Sequence, residues 1–199
     1  MKSASDSILR RIRAKQRGWV FTPKDFVDIA PRNNVGVVLH RLVDKGVIRK
    51  IGHGIYDFPI QHPKLGTLSA NPDAIARAVA VRAGDTIQPG GAQLANQLGF
   101  DTQVSAKPSY ITSGSTKQKK IANYPIKFSH SKFLNNISLN PNVIKVLNAL
   151  NHLGKDSITD DMIHKSKVIL SQRDKAQLKK ILTQLPDWMI RVVVNIIGK

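Results

Sequence analysis

Residues 1–58 alternate between helical and strand-like spacing of their apolar positions. The spacing predicts a helix over 5–17, a strand over 19–21, a short helix from Thr22 to Ala30, a third helix up to Lys45, and two strands, 47–51 and 55–58. Thr22 is expected to cap the short helix, with a bond returned from Asp25, and Asn33 or Asn34 is expected to cap the third. Gly52-His53-Gly54 is expected to turn the chain between the strands. This order of elements is that of a winged helix-turn-helix, in which the second helix of the pair enters the major groove of DNA.

The rest of the chain changes from mixed to helical spacing. After a connector over 59–63, the pattern predicts a helix over 72–83, strands over 86–88, 109–112 and 124–128, a short helix over 91–98, a basic turn over 114–120, and helices over 142–153, 159–170, 172–184 and 187–197. We therefore expect an α+β protein with a winged helix-turn-helix over 1–60 and a mixed α/β domain over 61–199. In the second domain, 61–140 holds a small sheet and 141–199 holds C-terminal helices.

The third helix has two chemically different sides. At 100° per residue, the core side holds Val35, Leu39, Leu42 and Gly46, and the opposite side holds Asn34, Val37, Arg41 and Asp44, flanked by Asn33 and His40. Asn reads adenine and Arg reads guanine through paired hydrogen bonds, and a valine methyl can touch a thymine methyl. The predicted DNA-binding residues on this helix are Arg32, Asn33, Asn34, Val37, His40 and Arg41, and those on the hairpin are Arg49, Lys50 and His53.

The charge of the chain favours a polyanionic partner. The chain has 31 Lys and Arg against 13 acidic residues, a net charge of +18, spread along its whole length. Such an excess favours phosphate contacts, so nucleic acid is the expected partner and an acidic protein surface the main alternative.

The sequence offers no catalytic or metal-binding motif. It contains no cysteine, and none of its six histidines has the spacing of a known metal motif. We expect no enzymatic activity, no catalytic residues, no metal and no cofactor. The N-terminus lacks an apolar signal region and no apolar run would span a bilayer, so the expected location is the cytoplasm, away from membranes.

Two regions of the chain, the first represented by two stretches and the second by one, resemble one protein family. The stretches SILRRIRAKQRGWVFTPKDF and VVLHRLVDKGVIRKIGHGIYDFP resemble the winged helix of AbiE-type (type IV) antitoxins and transcriptional regulators. The stretch TIQPGGAQLANQLGFDTQVSAKPSYITSG is similar to the second domain of one branch of that family. The resemblance implies binding to inverted repeats in the protein's own promoter, and a C-terminal domain that counters a nucleotidyltransferase-like toxin without a stable complex.

The stretch in the second region contains five motif residues. These are Gln88, Pro89, Gly90, Asn96 and Gln103. From the residues alone, the two consecutive glycines predict a tight strand-to-helix turn, and the amides are expected to bond to nearby backbone. Two other functions stay open: a module that opposes a toxin by binding RNA, and an accessory subunit that acts through protein contacts.

Overall fold

The computed structural model describes residues 3–103, 107–136 and 138–198. It is a mixed α+β structure, as the sequence predicted, and it divides into two compact units. The first unit consists of Met1–Thr86 with Gln118–Ile126, and the second of Ile87–Lys117 with Lys127–Lys199. The domain boundary expected at residue 60 therefore differs from this division. No helix in the described part of the chain has the length and apolar character needed to cross a membrane.

The first unit begins with helices and a three-stranded sheet. Its elements are α1 (Ala4–Ala14), β1 (Val20–Phe21), a 3-10 helix (Pro23–Phe26), α2 (Arg32–Asp44), β2 (Arg49–Gly52) and β3 (Ile55–Asp57). The strand order is β1-β3-β2, and both pairings are antiparallel. The core holds Ile8 and Ile12 from α1 and Leu39 from α2, all fully buried, together with a cluster of the rings of Trp19, Phe21 and Phe26.

Three local predictions in this unit need correction. The short helix is only the 3-10 turn, although Asp25 accepts a hydrogen bond from the Thr22 amide at 2.8 Å, as expected for its cap. Pro31, not Asn33 or Asn34, precedes α2, so both asparagines lie in its first turn. Gly46 lies outside the core: it is exposed, with a φ of +65°, and turns the chain after the helix.

The first unit also contains elements beyond residue 60. A small hairpin, β4 (Gln61–His62) with β5 (Gly66–Thr67), occupies the predicted connector. It is followed by the predicted helix α3 (Pro72–Ala83), which the Asn71 side chain caps and which contacts β1 and β3. Because these contacts bury the apolar side of α3 against the first sheet, the compact unit extends well past the hairpin.

The remaining elements are β6 (Ile87–Pro89), α4 (Gly91–Gln97), β7 (Ser109–Thr112), β8 (Lys117–Ile121), β9 (Tyr124–His130), α5 (Pro141–Leu153), α6 (Asp160–Ile169), α7 (Gln172–Lys180) and α8 (Asp187–Ile197). The four strands form a sheet in the order β6-β7-β9-β8, with β6 antiparallel and β9 parallel to β7. The predicted basic turn over 114–120 was wrong, because its second half is the edge strand β8. Lysines on both faces of this strand had hidden the two-residue period on which strand prediction depends.

The core of the second unit lies between α4, α5 and the last three helices. Val143 and Leu147 of α5, Leu94 of α4, Leu178 of α7 and Val193 of α8 are all fully buried there.

A buried carboxylate joins the starts of α5 and α7. Asp174 caps the Ser171 amide and accepts a hydrogen bond from Asn140 Nδ2 at 2.7 Å. Burial alone would raise the pKa of Asp174, but the hydrogen bonds from Asn140 and Ser171 outweigh it and hold the pKa below its usual value.

Candidate nucleic-acid interface

The two faces of α2 differ sharply in burial. Val35 and Leu39 are fully buried against the core, whereas Asn34 and Arg41 are exposed and Val37 is 50% exposed. The angular prediction therefore placed Val35, Leu39 and Leu42 correctly on the core side, but it included the exposed Gly46 and omitted Val38, which is also buried. The side of α2 that faces away from the core is exposed, so a ligand can reach it.

The outward side of α2 forms one wall of a shallow, open concavity. Its lining consists of Pro23, Arg32, Asn33, Gly36, Val37, His40 and Arg41. Five of the six residues predicted on this helix are thus brought together, and Asn34 is exposed beside them. Gly36 leaves room in the middle, since a Cβ at this position would have no neighbour within 4 Å.

Charge is distributed unevenly along this side of α2. Arg32 and Arg41 carry the positive charge, while His40 Nδ1 lies 2.8 Å from the carboxylate of Asp44 one turn later. Both partners are largely exposed, with 79% and 60% of their side chains accessible. Asp44 is the one acidic group on this side of α2, and its contact is with His40. Among the described residues, Arg32 and Arg41 are therefore the cations of this side that have no ion-pair partner.

An ion pair fixes the segment that leads into α2. Arg11 of α1 donates to the Asp28 carboxylate at 2.6 and 2.7 Å and to the Asp25 carbonyl at 2.7 Å. The hydrogen bonds to Asp28 raise the pKa of Arg11, and the same contact lowers the pKa of Asp28. Helical spacing could not reveal this contact, because Arg11 and Asp28 lie on different segments of the chain.

The β2–β3 hairpin carries the other predicted DNA-binding residues, and one of them has a structural partner. Arg49 Nε lies 3.0 Å from Oδ1 of Asp57, a carboxylate only 1% exposed, and Nη2 donates to the Leu68 carbonyl at 2.8 Å. The guanidinium of Arg49 therefore stabilises the fold, and we withdraw it from the candidate interface. Lys50 and His53 are exposed and remain in it.

The turn of this hairpin is held by a residue that sequence reasoning missed. Arg82, near the end of α3, donates a hydrogen bond to the His53 carbonyl. Its guanidinium also lies against Gly54, with Nε 3.5 Å from the position that a Cβ would take. Nothing in the spacing of Arg82 could reveal this contact, because its partner belongs to a distant part of the chain.

The second-unit motif is explained largely by packing. A Cβ on Gly90 would lie 2.2 Å from Ser109 Oγ and 2.7 Å from the Ser109 carbonyl, and one on Gly91 would lie 2.3 Å from His152 Cβ. Gly90 has a φ of −61°, so it is needed for space and not for an unusual backbone angle.

The polar members of the motif bond locally or not at all. Asn96 Nδ2 donates to the Asp101 carbonyl at 3.3 Å. At Gln103 it is the backbone N–H, not the side chain, that donates to Asp101 Oδ1, at 3.0 Å. Gln88 and Pro89 lie in β6, and Gln88 Oε1 is buried without a hydrogen-bond partner in the described structure. The bond of Asn96 agrees with the expected side-chain contact to nearby backbone, whereas the buried Oε1 of Gln88 does not. Across the described ranges, no group of three His, Cys, Asp or Glu side chains could hold a metal ion.

Comparison with known proteins places the chain in a family without a described activity. None of the curated proteins matches it. Among solved structures, it is similar to the RV2827C protein from Mycobacterium tuberculosis, with 14% identity and a TM-score of 0.45, over 100% of this chain and 79% of that one. A similarity of this size supports no argument about function. Residues 7–178 match DUF6088, a family of unknown function, and the chain therefore belongs to that family.

Proposed function

We propose that this protein is a sequence-specific DNA-binding transcriptional regulator whose first unit binds duplex DNA through α2. The observation that carries the proposal is the division of α2 into a fully buried apolar side and an uncovered side with two arginines and two asparagines. The strand order β1-β3-β2 and the adjoining β2–β3 hairpin agree with a winged helix-turn-helix. The net charge of +18 supports a phosphate-bearing ligand.

Six residues of the interface have roles that follow from their side-chain chemistry. Asn34 and Arg41 are the base readers, and Val37 supplies an apolar contact to a thymine methyl. Arg32 at the start of α2 binds a phosphate, with Lys50 and His53 on the hairpin doing the same further along the backbone. The expected target is an inverted repeat in the protein's own promoter.

The resemblance to AbiE-type regulators extends this proposal. On that basis, the protein is also an antitoxin that counters a nucleotidyltransferase-like toxin in the cytoplasm without forming a stable complex and without enzymatic activity of its own. The packed Gly90-Gly91 junction and the local bonds of Asn96 give the second unit a stable fold for that separate role. A toxin gene next to this one would support the extension.

Two substitutions should separate base reading from phosphate binding. Arg41→Ala should weaken binding to the promoter duplex by about tenfold or more, since a paired Arg–guanine contact is worth roughly 1–3 kcal/mol, and should hardly affect a scrambled duplex. Lys50→Ala should weaken binding to both duplexes equally and lower the salt slope by about 1. Fluorescence anisotropy titrations at several salt concentrations measure both effects.

Arg191→Ala is the matched control for these titrations. Arg191 is an exposed residue of α8, so its substitution removes the same charge and side chain as Arg41→Ala at a site outside the interface. Should Arg41→Ala and Arg191→Ala bind the promoter duplex alike, α2 is not the reading helix. Tighter binding of the wild type to transfer RNA than to either duplex would favour the RNA-binding function instead.

A further inference from the structure

A second basic hairpin lies within the first compact unit. Residues Gln118–Ile126, which hold all of β8 except its first residue and the start of β9, belong to that unit although Ile87–Lys117 separates them from the rest of it in sequence. The two strands are joined by Ala122 and Asn123, which both have positive φ, +49° and +68°. Two consecutive positive φ values are typical of a tight two-residue hairpin turn, whose twist matches that of the strands.

One contact places this hairpin against the β2–β3 hairpin. Ile121, at the end of β8, is 8% exposed, and its Cγ2 lies 3.3 Å from the position a Cβ on Gly52 would take. Gly52 is the last residue of β2 and immediately precedes His53 in the turn. The β8–β9 hairpin therefore packs directly on the backbone beside the turn of the β2–β3 hairpin.

Two lysines of β8 are free to bind a ligand at this position. Lys119 and Lys120 are exposed, and neither has an ion-pair partner in the described part of the chain. The chain has no acidic residue between Asp101 and Asp156, so no neighbour in sequence offsets their charge. Strand alternation puts Lys119 on the same side of β8 as Ile121, about 7 Å along the strand.

The two hairpins thus present their cations from neighbouring positions. Lys50 and His53 come from one hairpin, and Lys119 and Lys120 come from the other. A phosphate backbone that follows the first hairpin would meet further positive charge on the second, since double-stranded DNA carries a negative charge about every 1.7 Å along its axis. An exposed pair of lysines binds such a backbone as point charges, without reading sequence.

We propose that the β8–β9 hairpin is a second wing, with Lys119 and Lys120 binding phosphates of the same duplex beyond those reached by the β2–β3 hairpin. This inference rests on the proposed function, because it takes duplex DNA as the ligand. It also assigns a function to Gln118–Ile126, the segment that returns to the first unit. With this segment, the protein contacts a longer stretch of the duplex than the winged helix-turn-helix alone could.

The test is the double substitution Lys119→Gln/Lys120→Gln, compared with Lys179→Gln/Lys180→Gln. The control removes two charges from adjacent, exposed lysines at the end of α7. Affinities for the promoter duplex and a scrambled duplex are measured between about 50 and 200 mM salt, where phosphate contacts dominate the slope. The hairpin variant should lower the slope of log K against log salt by about 2 for both duplexes and leave their affinity ratio unchanged.

A hydroxyl-radical footprint locates the lost contacts. The hairpin variant should lose protection at the flank of the site and keep protection at its centre, whereas the α7 control should keep both. A slope and a footprint equal to those of the α7 control would overturn the second wing. Weakened binding to transfer RNA without any change on duplex DNA would overturn it as well.

The outcomes also separate this inference from the proposed function. If the wild type prefers the promoter duplex and the hairpin variant behaves like the control, only the second wing fails. If the wild type binds both duplexes equally and the hairpin variant still lowers the slope, the second wing holds and sequence-specific regulation fails.

Discussion

Gly90→Ala should destabilise the second unit by about 3 kcal/mol, at the upper end of the usual cost of overpacking. The added Cβ would lie 2.2 Å from Ser109 Oγ and 2.7 Å from the Ser109 carbonyl oxygen. The side-chain oxygen could rotate away, but the carbonyl cannot move freely, because it accepts a hydrogen bond from the Gly90 amide at 2.8 Å. Relief of the clash would therefore cost the bond that joins β7 to the start of α4.

Urea unfolding measures this loss of stability. The fluorescence of Trp188, which packs against the core of the second unit, reports on that unit once Trp19 is replaced by Phe. Gly36→Ala is the control, followed through Trp19 in a Trp188→Phe background because Gly36 belongs to the first unit. A Cβ at Gly36 meets nothing within 4 Å, and Ala is the better helix former by about 1 kcal/mol. It should be neutral or stabilising. An unfolding midpoint for Gly90→Ala equal to that of the parent protein would contradict the packing account of the motif.

Arg49→Met should destabilise the first unit by about 3 kcal/mol, because it removes the half-buried cation that pairs with a buried carboxylate. Asp57 is 1% exposed, and the Arg49 guanidinium bonds to both of its carboxylate oxygens. Methionine keeps much of the side-chain volume but leaves a buried carboxylate without its cation. Thermal and urea unfolding, followed through Trp19 in a Trp188→Phe background, measure the effect.

The neighbouring residue and a double variant make this prediction specific. Lys50→Met changes an exposed side chain on the next position and should shift stability by no more than about 0.5 kcal/mol. Replacing Asp57 together with Arg49, as in Arg49→Met/Asp57→Asn, should recover part of the loss, since the uncompensated charge is gone. If Arg49→Met instead keeps full stability and loses only DNA affinity, the original prediction of Arg49 as a DNA contact is right and its structural role is wrong.

The side of α2 that faces the core could be predicted from sequence because it depends on local periodicity. Val35, Leu39 and Leu42 recur at helical spacing, so the exposure of Asn34 and Arg41 on the other side follows directly. The same locality explains the success with Thr22 and Asp25, whose cap lies within a single turn. The start of α2 was missed because two asparagines looked like better caps than Pro31.

The long-range contacts could not be predicted in this way. The spacing of Arg49 carries no sign of its partner, and only the folded sheet shows that Asp57 on the neighbouring strand pairs with it. Gln118–Ile126 returns to the first unit, where Ile121 packs beside Gly52, a contact between distant parts of the chain. A single sequence contains no periodic signal for such contacts, so both the domain boundary and the second basic hairpin had to come from the structure.

The most direct test of sequence-specific regulation is the affinity of the wild-type protein for its promoter duplex relative to a scrambled duplex of equal length and composition. Specific DNA-binding proteins discriminate between such sequences by about a thousandfold or more at physiological salt. The uncovered polar side of α2 predicts a ratio of that size. Equal affinity for the two duplexes would show that the protein binds only phosphate charge, and would contradict the assignment of α2 as a reading helix.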